Sequence, residues 1–260
     1  MEVRAVDVVA SDWFCTLEGQ AVRLGLCLVA GLSQSVAGRI LAARKASPFI
    51  NTEDLAWRAG LGTFDIKALA GADALLALSG HRRLQMWDAA AFRATPPLLA
   101  AAAVQEDVPA LTAAGESEEV TLDYVSTGLT LRQHPLSLLR DALSKMRLMT
   151  SARLNDLPCG RWAAACGIVT ARQQPQTAKG VVFVTLEDET GSVNVIVWKA
   201  LRERQRAELL QSRLLAVYGQ WQRNTGEPTG SGEVRHLVAR RLKNLTPMLG
   251  GLATSSRDFR

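Results

Sequence analysis

Residues 181–198 read Val181-Val182-Phe183-Val184-Thr185-Leu186, then Glu187-Asp188-Glu189-Thr190-Gly191, then Ser192 and Val193-Asn194-Val195-Ile196-Val197-Trp198. The first run is continuous in β-branched and apolar residues. The second is a polar turn that ends on glycine. The third alternates at period two, the spacing that sends successive side chains to opposite faces of a strand. The stretch is a β-hairpin with one face turned into a core. If Val193, Val195 and Val197 point inward, Asn194, Ile196 and Trp198 point outward. In the first run the alternation leaves either Phe183 or its neighbours Val182 and Val184 facing out.

Working outward, a further strand pattern precedes the hairpin over residues 164–172. A helical pattern follows it over 199–210. Two more strands cover 214–223 and 234–242, around a Gly/Pro/Ser turn at 226–232. The order strand, strand, strand, helix, strand, strand is that of an OB-fold, a five-stranded barrel with a helix between strands three and four. Such barrels take single strands on strands two and three and on the loops joining strands one to two and four to five. The first loop offers Arg172 and Lys179, the second Arg223. Trp198 and Phe183 are stacking candidates, and Trp221 sits beside the second loop. A tryptophan at a strand end also serves as core or rim packing. Arg235, Arg240, Arg241 and Lys243 on the last strand read equally as a solvated face.

The first half has a different period. Helical spacing places Val36, Ala37, Ile40 and Leu41 on one face, with Ser33 as N-cap, and Pro48 and Asn51-Thr52 end that helix and start another. Gly31-Leu32-Ser33 recurs 29 residues later as Gly60-Leu61-Gly62. Each copy is a glycine turn between helices. Glycine permits a tight turn and close approach, and the following helix presents unpaired N–H groups that suit phosphate. Gly31, Ser33, Gly60, Gly62 and the nearby Lys67 are therefore candidates for gripping a DNA backbone without reading sequence. The same pattern also serves as a plain turn between packed helices. The expected organisation is α+β and multidomain: a short remnant over 1–20, a tandem helix-hairpin-helix domain over 21–95, a flexible acidic and Ala-rich linker over 96–121, a connecting helical segment over 122–159 opened by Pro135, an all-β OB barrel over 160–247, and a tail over 248–260.

The chain has 260 residues, of which 48% are hydrophobic and 21% charged, an ordinary globular composition that excludes a collagen-like or fully disordered chain. Its net charge of +5 hides an asymmetry. Residues 1–150 hold 14 basic and 16 acidic residues, whereas residues 151–260 hold 16 and 9. The basic character belongs to the second half, which suggests two modules with different electrostatic jobs. The longest apolar runs are too short to span a bilayer. The first seven residues lack the apolar core of a signal peptide, so a cytoplasmic location without membrane contact is expected. Cys15, Cys27, Cys159 and Cys166 form no CxxC pair and read as reduced, buried thiols, and the three histidines form no metal-ligand motif. No phosphate-binding loop, dinucleotide fingerprint, nucleophile elbow or Asp-x-Asp pair is present, which leaves no evident catalytic centre.

Several runs carry a resemblance. They include Ser11-Asp12-Trp13, Val22-Arg23-Leu24-Gly25-Leu26, Asp54-Leu55-Ala56 with Arg58-Ala59-Gly60-Leu61, Gly128-Leu129-Thr130-Leu131-Arg132 with His134-Pro135, and Ala178-Lys179-Gly180 continuing through Val181 to Gly191. The chain resembles the C-terminal region of bacterial C-family DNA polymerases of the error-prone, DnaE type. The resemblance implies a translesion polymerase of the damage response that works with the accessory proteins ImuA and ImuB and, indirectly, with the sliding clamp. It also implies that the polymerising carboxylates and their Mg2+ lie in a catalytic core outside this chain, so that no cofactor is expected here and the chain alone should not incorporate nucleotides. The implied partners are primer-template duplex, single-stranded template and the remainder of the polymerase. Ser33 departs from the glycine usual in the family's first hairpin. Two other readings stay open: an autonomous single-strand-binding OB protein, and a docking module for polymerase accessory proteins.

Overall fold

A computed structural model describes residues 2–92, 110–175, 180–224 and 234–250. They form two compact units, residues 1–132 and 133–260.

The first unit opens with strands β1 (Glu2–Arg4), β2 (Thr16–Glu18) and β3 (Ala21–Arg23), ordered β1-β3-β2, with β1 parallel and β2 antiparallel to β3. Helices α1 (Gln34–Ala46), α2 (Thr52–Arg58), α3 (Thr63–Gly71), α4 (Leu76–Ser79) and α5 (Arg82–Ala91) follow, and α6 (Glu116–Ser126) closes the unit. Val6 and Val8 are buried in one core with Ile40, Leu55, Ile66 and Leu69. The first twenty residues are thus no remnant: they share the core of the helical domain, whose boundary at 21 is not a structural one. The start of the helical domain expected over 21–95 is likewise a strand followed by a short 3-10 turn at Leu26–Leu28.

The expected linker over 96–121 is corrected at its C-terminal end. Residues 96–109 lie outside the described residues, but Glu116 onward is helix α6. Buried Arg82 of α5 pairs with Glu119 at 3.1 Å and with Asp123, and Arg132 reaches Asp73 and Glu119. Acidic residues that read as linker composition are held by cations from the helices they cover. Burial raises the pKa of Glu119 and of Asp73, and the nearby arginines pull both back down.

The connecting segment over 122–159 is divided between the units. Helices α7 (Pro135–Lys145) and α8 (Ser151–Asn155) belong to the second, where α7 buries Leu136 and Leu143 as its 3.6-residue period requires. The rest of that unit is a closed barrel of β4 (Trp162–Gln173), β5 (Val182–Asp188), β6 (Gly191–Val197), β7 (Leu214–Asn224) and β8 (Val234–Asn244), ordered β4-β5-β6-β8-β7. Along the chain this is the order of elements read from the sequence, and the closed five-stranded barrel is the fold that it implies. The expected helix between strands three and four is two short helices, α9 (Lys199–Arg204) and α10 (Arg206–Gln211), broken at Gln205. Val169, Val184, Val195, Val217, Trp221 and Leu237 fill the interior. The turn after β5 is fixed by Asp188, whose carboxylate accepts from the backbone of Ser151, Thr190 and Gly191. Of the four cysteines only Cys166 is fully buried, and burial pushes its thiol up to about 12. Cys15 and Cys159 are exposed, contrary to the expectation of buried thiols. Among the described residues no helix is long and apolar enough to cross a membrane.

Candidate nucleic-acid interface

The two hairpins of the first unit have the same build. Gly31 and Gly60 both take positive φ, +83° and +59°, the region in which a side chain is strained. The next residue, Leu32 or Leu61, is buried and fastens the turn into the core. The third residue is the N-cap of a helix, Ser33 for α1 and Gly62 for α3. Ser33 accepts the Val36 N–H at 3.3 Å, as a capping hydroxyl does. The copies also touch. The Phe64 ring, in the first turn of α3, lies over Gly31. Arg39 of α1 donates to the carbonyls of Ala59 and Gly60 at 2.7 and 3.1 Å. Ala30 donates its N–H to Ser126 at the end of α6.

Their electrostatics differ. The first turn of α1 holds no acid, so its positive dipole end is uncompensated. The first turn of α3 holds Asp65, whose carboxylate accepts the Gly62 N–H at 3.0 Å. Gly62 is therefore not an open phosphate donor, and the sequence expectation for it is corrected. The first turn of α1 keeps the geometry that suits a phosphate. Lys67 is exposed on α3.

On the barrel, the hairpin that decided the fold resolves its own ambiguity. Val182, Val184, Val193, Val195 and Val197 are interior, and Phe183, Asn194, Ile196 and Trp198 face outward. Phe183 is 39% and Trp198 54% exposed. Direct pairing carries one outward row across four strands: Phe183 opposite Ile196, Ile196 opposite Val238, and Val238 opposite Gln220. Beside that row Ile196, Trp198, Gln222, His236, Val238 and Arg240 line a shallow groove. An apolar floor, an indole at the edge and a guanidinium nearby can stack a base and hold its phosphate without reading sequence. Burial holds the His236 imidazole below its ordinary pKa, so it faces the groove uncharged at neutral pH.

Three expected barrel residues are corrected. Trp221 is 2% exposed and belongs to the interior, because its position on β7 alternates inward with Val217. Arg172 is buried, and its guanidinium donates to the carbonyls of Leu209 and Ser212 at the end of α10. Arg223 is half-buried and donates to the Asn155 carbonyl. Lys179, with the other residues of 176–179 in the first expected ligand loop and residues 225–233 of the second, lies outside the described residues. Gln222 and His236 are groove residues absent from the sequence expectation, which gives Arg240 only within a last-strand cluster that reads equally as a solvated face. The signal was present: His236, Val238 and Arg240 alternate along the last strand and share its outer face.

Comparison with known proteins agrees with this division. Residues 1–85 match the family described as helix-hairpin-helix motif, and residues 164–244 the family described as OB-fold nucleic acid binding domain. Over 99% of its length the chain is 51% identical to an error-prone DNA polymerase of Burkholderia pseudomallei, of which it covers 24%. Over its whole length it is 47% identical to that of Ralstonia nicotianae, covering 24%, and 48% identical to that of an Azoarcus species, covering 25%. The chain spans about a quarter of the length of the curated relatives it matches.

Proposed function

We propose that this chain, similar along its whole length to about a quarter of the error-prone DNA polymerases, supplies DNA handling to such an enzyme. The hairpin unit holds duplex backbone, and the barrel holds single-stranded template. The observation that carries the reading is the outward row Phe183–Ile196–Val238–Gln220 with Trp198 and Arg240 at its groove. The polymerising carboxylates and their Mg2+ belong to a catalytic core outside this chain, and the chain alone incorporates no nucleotide. The wider role is translesion synthesis in the damage response. There the remainder of the polymerase is the immediate partner, and ImuA- and ImuB-type proteins and the sliding clamp are further ones.

The test is titration of a fluorescent single strand at low and physiological salt. Binding should fall steeply with salt, as phosphate contacts require. Trp198→Ala should weaken it by the roughly 1–3 kcal/mol of one stacked base. Absence of binding at low salt would remove the nucleic-acid role of the barrel.

A further inference from the structure

The outward row does not stop at Gln220. Gln220 of β7 pairs directly with Trp162, the first residue of β4, and Trp162 is 68% exposed. Its neighbour Ala163 is buried in the barrel, so by strand alternation the Trp162 indole stands on the outer surface, on the same side as Gln220. From Phe183 through Ile196, Val238 and Gln220 to Trp162 the row crosses all five strands. Four inter-strand steps of about 4.8 Å make it about 19 Å long. One pairing step beyond Phe183 the row returns to β4 at Gln173, eleven residues after Trp162. One of these residues is taken up by the bulge between Val169 and Ala171. The row therefore winds around the barrel while it climbs along it, as strand stagger in a closed barrel demands, and meets β4 again eleven residues displaced instead of closing into a ring.

Trp162 is also held in place. The Gly160 N–H donates to the Trp221 carbonyl at 2.7 Å, and the Trp221 N–H donates to the Arg161 carbonyl at 2.8 Å. Gln220 donates from its Nε2 to the Gly160 carbonyl at 2.9 Å. Arg161, exposed and immediately before Trp162 in the chain, adds a cation. Like Trp198, Trp162 is an exposed indole on the outer face of the barrel.

We infer that Trp162 is a second stacking subsite for single-stranded nucleic acid, at the far end of the row from Phe183, with Arg161 facing the adjoining phosphate. The inference rests on the single-strand reading of the barrel groove. It fixes the direction of the strand, across the sheet from β5 to the start of β4, and makes affinity depend on oligonucleotide length.

The full chain is titrated with labelled oligothymidylates of about 4, 8 and 12 nucleotides, lengths within the range of OB-barrel site sizes. Trp162→Ala should bind the shortest as the parent does and the longest roughly five- to a hundredfold more weakly. Trp162→Phe should keep most of the affinity. An unchanged thermal melt would show that Trp162→Ala folds as the parent does. If Trp162→Ala matches the parent at every length while Trp198→Ala weakens binding, the second subsite is wrong and the groove stands. If the parent binds no length, the single-strand reading itself fails.

Discussion

The Phe64 ring packs over the backbone of Gly31, so close that a Cβ on Gly31 would stand 2.9 Å from the ring's Cζ. This contact joins two glycine turns that lie 29 residues apart in the sequence. Two costs are available to Gly31→Ala, the left-handed backbone and the ring. The ring is the far end of a side chain 68% exposed, so it can swing aside. The backbone at φ +83° cannot relax without unmaking the turn. Gly31→Ala should therefore cost about 1–2 kcal/mol and lower the melting temperature by several degrees. Adding Phe64→Ala should recover little of it. Full recovery in the double variant would place the cost in the ring contact.

Asp65 closes the second hairpin against anions by accepting the Gly62 N–H. If the hairpins hold duplex backbone, this carboxylate opposes binding at the start of α3. Asp65→Asn should raise duplex affinity a few-fold and lessen its salt sensitivity little, because no new cation is added. Fluorescence anisotropy with a labelled duplex measures both. Unchanged affinity would mean that the second hairpin is a turn and nothing more.

Arg172 is structural, and its substitution separates stability from binding. Its guanidinium satisfies the carbonyls of Leu209 and Ser212, and a shorter side chain leaves both acceptors in a buried pocket. Arg172→Ala should cost about 3 kcal/mol in denaturant unfolding. Single-strand affinity, measured where the variant is folded, should stay within a factor of two or so. A large loss of affinity in the folded variant would return Arg172 to the interface.

Strand alternation made the barrel legible, because period two sorts valines from their neighbours within a few residues. The turn glycines were legible for a similar local reason. What was missed depends on distant partners. Arg172 looks like a loop cation until the end of α10 arrives 37 residues later with its carbonyls. Glu119 looks like linker acid until Arg82, 37 residues earlier, closes on it. β1, β2 and β3 are three residues each, too short to show a period, and β1 finds its partner only at Ala21. Trp162 escaped because it is the first residue of its strand, and its neighbour across the sheet, Gln220, is 58 positions away.

His134 caps α7 through its ring: Nδ1 accepts the Leu136 N–H at 3.1 Å. An accepting nitrogen carries no proton, so the cap exists only in the neutral imidazole. Burial lowers the His134 pKa and Arg140 lowers it further, while Glu187, Glu189 and Asp188 pull the other way. With the folded value below the unfolded one of about 6.5, the unfolded chain takes up the proton first. The stability that the cap contributes is then complete above the unfolded pKa and is lost as pH falls through the folded one. Asparagine caps helices well and does not titrate. In urea unfolding between about pH 7.5 and 5.5, His134→Asn should therefore lose less stability than the parent. His236, also held neutral by burial, is common to both proteins and cancels in the comparison. Parallel pH profiles for the two would mean that the imidazole is not the titrating cap.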